Sequence, residues 1–296
     1  MIIGTGTFFK CFKTRHLHKN KYLTPIYMCE YVNVSLDSTL SNKGAEMVAR
    51  LSRLLEPISS LFFLPECYVC GGAAERRELL HNVCAECWNE VRQVGDLVCF
   101  RCGLPIESEA VEDVSKAYFC GACRGRRIPY SMMRSLYDYR TPMREMIHIF
   151  KFEGKTGIGG ELGRRLAEWA ARHPDLASSE LVAPVPLHPL RRIERGFNQA
   201  ELLARLVARE MGLPLLPALR RRRNTPPQSS LEPEQRRRSL KGAFAVPRRS
   251  VVRGKRVLLV DDMATTETTV RECARELRRA GAAEVKALTL ARSLGA

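Results

Sequence analysis

Four C-x-x-C pairs, Cys67/Cys70, Cys84/Cys87, Cys99/Cys102 and Cys120/Cys123, constrain this chain more than any other feature. They use eight of its eleven cysteines, and the gaps between pairs are 13, 11 and 17 residues. Redox use of C-x-x-C normally needs one pair beside a strand-helix-strand unit, so four pairs exceed that purpose. Four thiolates at tetrahedral corners suit Zn²⁺, and two knuckles supply one tetrahedron without strain. Two complete sets predict two structural Zn²⁺ ions per chain. No secretory signal precedes the pairs, so they read as metal ligands in a reducing, cytoplasmic compartment rather than as disulfides.

The pairs also alternate in kind. Cys70 and Cys102 are each followed by Gly, whereas Cys87 and Cys123 are followed by Trp88 and Arg124. Glycine after a knuckle permits the tight turn that aims backbone N–H groups at sulfur. The alternation points to two modules in tandem, Cys67/Cys70/Cys84/Cys87 and Cys99/Cys102/Cys120/Cys123, with interleaved pairing as the alternative. His81 lies inside the first set and reads as a surface residue. A stretch as short as 67–127 holds no core without metal. Its task is either a staple or docking surface, or direct nucleic-acid contact.

The 296 residues, 45% of them apolar, suffice for one sizeable core and a small satellite. No apolar run approaches the roughly 18 to 20 residues of a membrane span. Before Met47 the chain has five Lys and one Arg, and from Met47 onward six Lys and thirty-six Arg. Residues 1–46 are accordingly expected to be a non-native or disordered extension. Residues 47–66 form an amphipathic helical lead-in, 67–127 the cysteine module and 128–296 an α/β domain.

In that last region Tyr137 to Phe152 has helical spacing, interrupted by Gly154, Gly157, Gly159 and Gly160 before a helix resumes over Glu161 to Ala171. Leu181 to Val185, Val257 to Val260 and Glu284 to Leu290 read as buried strands. Asn198 to Met211 and the Val270, Cys273, Ala274, Leu277 stripe read as helices. Strands alternating with helices imply a mostly parallel sheet with ligands at the carboxyl ends of its strands. Arg220 to Arg238, with Pro226, Pro227 and Pro233 and no period, reads as a long mobile loop. The formal net charge is +16, and Ala218 to Arg256 carries eleven Arg and two Lys against Glu232 and Glu234, a local net of +11. So concentrated a field attracts phosphates, on a small ligand or on nucleic acid.

The stretch from Val257 to Thr269 ends a buried strand in Asp261-Asp262 and continues through Thr265-Thr266-Glu267-Thr268-Thr269. Adjacent carboxylates accept hydrogen bonds from a vicinal diol. Hydroxyls and backbone N–H groups at the start of the next helix favour a phosphate. The pair of sites fits a ribose 5-phosphate. The segment resembles the 5-phosphoribosyl-1-pyrophosphate (PRPP) signature of type I phosphoribosyltransferases, strand-D-D-x-x-T-T-G-x-T. The resemblance implies that Asp261 and Asp262 hold the ribose hydroxyls and that Thr265, Thr266 and Thr269, with Thr268 in the same loop, surround the 5′-phosphate. Glu267 stands where the signature has Gly. It is expected to deny the loop positive φ and to add a like charge beside the ligand.

Further stretches resemble the ComF/GntX family: Pro184-Val185-Pro186-Leu187-His188-Pro189, Arg195-Gly196-Phe197-Asn198-Gln199-Ala200, then Thr225, Gln228, Leu231 and Arg236 to Phe244. Ser239 appears where the family tends to have Asn. With the cysteine module the resemblance runs from about Met47 to the end. It implies a type I phosphoribosyltransferase fold, a mostly parallel sheet flanked by helices, with an N-terminal double zinc-ribbon module. It also implies binding of PRPP with Mg²⁺ and transfer of the phosphoribosyl group to an unknown acceptor. The turn after Val185, with His188 and Arg195, would meet pyrophosphate, and Arg221, Arg222 or Arg236 would close over it. The plainer readings are a locally packed turn for His188, a staple and cap for Phe197 and Asn198, and solvation for any single arginine. The alternative function, suggested by resemblance to competence factors, is a non-catalytic role in DNA uptake or handling. It would use the ribbons and the basic loop toward single-stranded DNA or a DNA-processing protein, with the pocket regulatory or degenerate.

Overall fold

The computed structural model describes residues 8–15, 25–32, 66–72, 79–106, 117–223 and 233–294, with backbone alone at 8–15, 25–32, 233–234 and 236–237. The chain divides into two units, Met1–Phe63 and Leu64–Ala296. In the first, within the segment read as an extension, β1 (Phe8–Arg15) and β2 (Pro25–Val32) pair antiparallel, Phe8 opposite Val32. The expected lead-in over 47–66 lies outside the described residues except for Glu66.

The second unit starts with β3 (Leu79–Leu80), β4 (Val83–Cys84) and α1 (Ala85–Asn89) around the first cysteine pairs. It continues through β5 (Met132–Asp138), α2 (Met143–Phe152), α3 (Thr156–Arg172), β6 (Leu181–Pro184), α4 (Pro189–Arg195) and α5 (Gln199–Glu210). Next come β7 (Arg220–Arg221), α6 (Pro233–Leu240), β8 (Phe244–Ala245), β9 (Arg256–Ala264), α7 (Thr268–Arg279) and β10 (Glu284–Arg292). The main sheet has the order β5-β10-β9-β6, and every neighbouring pair is parallel, with Leu288 of β10 opposite Val260 of β9.

A parallel sheet is covered on both faces, and side chains alternate between them. Leu258, Val260, Leu288 and Leu290 pack into one core with Ile147 of α2, Leu162 of α3 and Leu203 of α5. Val257, Leu259, Val285 and Ala287 pack into the other with Val270, Cys273, Ala274 and Leu277 of α7. The helical stripe read in α7 is therefore its sheet-facing side.

Three expectations need correction. Tyr137 and Asp138 end strand β5, and the helix begins only at Met143. Gly157, Gly159 and Gly160 lie inside α3 rather than between helices. Gly159 lets α2 approach, since a Cβ there would overlap the Phe150 ring, and Gly163 farther along α3 does the same for α5, where a Cβ would lie 2.5 Å from Leu206 Cδ1, whereas the space at Gly160 is open. The stretch expected as one loop from Arg220 to Arg238 begins in β7, which pairs antiparallel with β8, and ends in α6. Residues 224–232 between them, including Thr225, Gln228 and Leu231, lie outside the described residues.

The cysteine module packs directly on the sheet. Residues 92–94 run antiparallel along β5, with Val94 N donating to Leu136 O at 3.0 Å and Asp138 N to Arg92 O at 2.9 Å. Met133 N donates to Arg101 O at 2.7 Å. The outer edge of β5, which would otherwise be an unpaired template, is thereby covered. Cys67, Val83, Cys84 and Cys87 belong to the same core as α3.

Candidate functional site

The eight cysteines form two sets, Cys67/Cys70/Cys84/Cys87 and Cys99/Cys102/Cys120/Cys123, and within each set all sulfurs lie within 4.8 Å of one another. The tandem pairing is the one the chain adopts. A Zn–S bond of about 2.3 Å in a tetrahedron sets S···S near about 3.8 Å. Cys67–Cys87, Cys70–Cys84 and Cys102–Cys120 Sγ separations are 3.9, 3.8 and 3.7 Å. Backbone N–H groups of Val69 and Cys84 donate to Cys67 Sγ at 3.4 Å, and that of Cys120 to Cys99 Sγ at 3.3 Å. These donors stabilise thiolates, so the donor set, its spacing and its surroundings all fit structural zinc.

The second site lies where β9 ends. Side chains of Asp261 and Asp262 at its carboxyl end and the 265–269 turn into α7 line one cavity of about 1050 Å³. Its walls include Lys151, Arg191, Arg195 and Arg221. Asp261 is buried, and burial, reinforced by the neighbouring Asp262 carboxylate, pushes its carboxyl up to about 8. Lys151 and Arg221 oppose that rise. Lys151 Nζ pairs with Asp262 Oδ2 at 3.0 Å. Thr266 and Thr268 share a hydroxyl hydrogen bond of 2.9 Å at the start of α7, where the helix dipole and its first N–H groups favour an anion.

Among the weaker expectations, Arg195 and Arg221 line the cavity and His188 and Arg222 do not appear in its wall. Arg195 stacks on the Phe152 ring, 4.8 Å to the centroid, and burial lowers its guanidinium below its ordinary range. His188 Nδ1 accepts from Leu190 N at 3.3 Å and caps α4. Arg222, next to Arg221 on the short ribbon, is exposed. The side chain of Arg236 lies outside the described residues. Asn198 does not cap α5 with its side chain; its Nδ2 donates to Val185 O at 3.1 Å and pins the 185–187 turn to that helix. Phe197 packs on Phe150, ring centroids 5.5 Å apart.

Glu267 departs from expectation twice. Its backbone takes the left-handed conformation, φ 57° and ψ 4°, that glutamate was expected to deny. Its carboxylate is bound by Tyr130, Arg271 and Arg292. The added negative charge is therefore neutralised inside the protein.

Residues 58–124 match the double zinc ribbon domain, and residues 198–295 the phosphoribosyl transferase domain. DNA utilization protein YhgH of Salmonella typhimurium is 34% identical over 72% of this chain and 91% of its own length. Competence protein F of Haemophilus influenzae is 30% identical over 78% and 99%. Competence protein ComFC of Bacillus subtilis is 31% identical over 72% and 85%. The chain belongs to the ComF/GntX family. This ComF/GntX protein joins a double zinc ribbon to a type I phosphoribosyltransferase domain. Among its described residues no helix is long and apolar enough to cross a membrane.

Sequence reasoning on this ComF/GntX chain missed Lys151, Tyr130 and Arg292. Lys151 sits in the last turn of α2, and only its solitary positive charge on an apolar helix end marks it. Tyr130 and Arg292 carry no local signal.

Proposed function

We propose that this ComF/GntX protein binds PRPP together with Mg²⁺ in the β9–α7 cavity. One observation carries the reading: Asp261 and Asp262 share a single cavity with the threonine-lined amino end of α7 and with Arg195 and Arg221. In this reading the two aspartates accept from the ribose 2- and 3-hydroxyls. Thr265, Thr266 and Thr269, with the first N–H groups of α7, hold the 5′-phosphate. Arg195 and Arg221 face the pyrophosphate, which Mg²⁺ partly neutralises. Transfer then breaks the bond from the anomeric carbon to pyrophosphate while an acceptor forms its bond there, and the protein contributes positioning and electrostatics. The acceptor is unassigned.

A second reading concerns the setting. The relatives are named for DNA utilization and competence, and Ala218 to Arg256 concentrates positive charge. We place the protein in cytoplasmic DNA uptake or handling, with single-stranded DNA or a DNA-processing protein as its macromolecular partner.

Calorimetric titration with PRPP and Mg²⁺ tests the first reading. Saturable binding is expected, lost when Asp261→Asn and Asp262→Asn are combined. Binding of single-stranded DNA by a chain that ignores PRPP would leave only the second reading.

A further inference from the structure

In the loop where the phosphoribosyltransferase signature has glycine, Glu267 holds a left-handed backbone at φ 57°. That conformation is unfavourable for a residue with a Cβ and persists only where its surroundings over-determine it. The surroundings are three buried or half-buried donors. Tyr130 Oη donates to Oε2 at 2.5 Å, Arg271 Nη2 donates to the same oxygen at 3.0 Å, and Arg292 Nη2 donates to Oε1 at 3.2 Å.

Arg292 does more than pair with Glu267. It is 1% exposed, and its other terminal nitrogen, Nη1, donates to the backbone carbonyl of Cys102. Cys102 belongs to the second cysteine set. The next residue, Gly103, turns with φ 69°, and a Cβ there would lie 2.5 Å from Met133 O and 3.4 Å from Arg292 Nη1. The knuckle therefore rests on β5 and on the guanidinium without room for a side chain. One guanidinium thus joins a metal-site knuckle to the residue that sets the shape of the ribose-phosphate loop. The first cysteine set is tied instead to α3, through the shared core and through Arg165 stacked on Trp88 at 4.4 Å.

We propose that Arg292 and Glu267 couple the metal held by Cys99, Cys102, Cys120 and Cys123 to the phosphoribosyl pocket, so that each occupied site strengthens the other. The proposal rests on the PRPP-binding reading above. Losing the metal frees the knuckle, withdraws the Cys102 carbonyl from Arg292 and removes one of the supports that keep Glu267 left-handed. The α7 amino terminus then presents its N–H groups to the phosphate less well. Because coupling free energy is reciprocal, bound PRPP must hold the second metal more tightly by the same factor. The first metal, whose knuckle meets Lys155 through Tyr68 but is not bonded to Glu267 or Arg292 among the described residues, serves as the internal control.

The test uses the full zinc-loaded chain, challenged with a chromogenic chelator in Mg²⁺ alone and in Mg²⁺ with saturating PRPP. PRPP should slow release of one zinc equivalent by about five-fold or more and leave the other unchanged. The slowing should persist in Cys67→Ser, whose remaining metal is the second. Glu267→Gly, with PRPP binding checked by calorimetry, should abolish it, and Arg292→Lys should do the same should the glycine variant fold poorly. Identical release with and without PRPP in a chain that binds PRPP overturns the coupling and leaves the binding reading intact. Equal slowing of both metals, or slowing that survives in Glu267→Gly or Arg292→Lys, overturns the Arg292–Glu267 route. A chain that gives no heat with PRPP overturns both.

Discussion

Lys151 Nζ and Asp262 Oδ2 lie 3.0 Å apart, with side chains 13% and 15% exposed, and this pair joins α2 to the end of β9. It places a positive charge beside the adjacent carboxyl groups of Asp261 and Asp262 at the cavity wall. Lys151→Met should leave Asp262 unpaired and cost about 3 kcal/mol in urea unfolding, as breaking a buried pair from one side does. A loss below about 0.5 kcal/mol would show that Asp262 is solvated well enough to dispense with its partner.

Asp261 supplies a pH dependence whose sign follows from its position. Burial first, and then Asp262, raise its carboxyl from 3.8 to about 8 in the folded chain. Between those limits the folded state keeps a proton that the unfolded state releases, so stability from this group falls as pH rises and levels off above about 8. Asp261→Asn should therefore gain stability relative to the parent as pH goes from 5 to 8.5. An unfolding difference that stays constant across that range would place Asp261 in its ordinary ionised form.

Metal content follows from two separate cysteine sets. Protein purified without chelator should carry two zinc ions per chain by elemental analysis, and Cys67→Ser should carry one. Because Cys67, Cys84 and Cys87 share a core with α3, that variant should also lower the melting temperature of the transferase domain rather than only unravel a satellite. One equivalent in the parent would rule out the tandem pair of sites.

The glycines of α3 separate packing from propensity. Alanine in a helix interior normally gains about 0.8 to 1.0 kcal/mol over glycine. Gly160→Ala, with open space around its Cβ position, should show most of that gain in melting temperature. Gly159→Ala, forced onto Phe150, should instead lose about 1 to 3 kcal/mol. Similar shifts for both would mean that Phe150 moves aside freely.

Much of the site was legible because its signals are local. The Asp261-Asp262 step, the threonines and the apolar run of β9 are neighbours in the chain, and their spacing alone implies a strand, a turn and a helix start. The same holds for the C-x-x-C knuckles. Strand β5 was missed because its residues include Arg134, Ser135 and Asp138, letters that do not read as a buried strand. Two are satisfied across the fold, Arg134 by Asp175 at 2.7 Å and Ser135 by Thr289 at 2.6 Å, while Asp138 pairs through Oδ2 with Arg140 at 3.0 Å and keeps its buried Oδ1 without a hydrogen bond. Gly159 misled for a related reason, since helix propensity weighs glycine against a helix while the close approach of Phe150 requires it.

From its sequence this chain can be known as two thiolate sets, a parallel α/β sheet and a carboxylate-threonine loop of the phosphoribosyltransferase kind, because each of those is written in short-range spacing. Tertiary structure alone decided which knuckles pair, that Lys151 faces Asp262, and that the Glu267 carboxylate is bound by Tyr130, Arg271 and Arg292. A glutamate in a glycine position is a repulsive charge or a structural anchor depending on whether cations stand behind it. Arg271 stands one helical turn away, four residues on, but Arg292 and Tyr130 are 25 and 137 positions away, so only the folded sheet brings those two within reach.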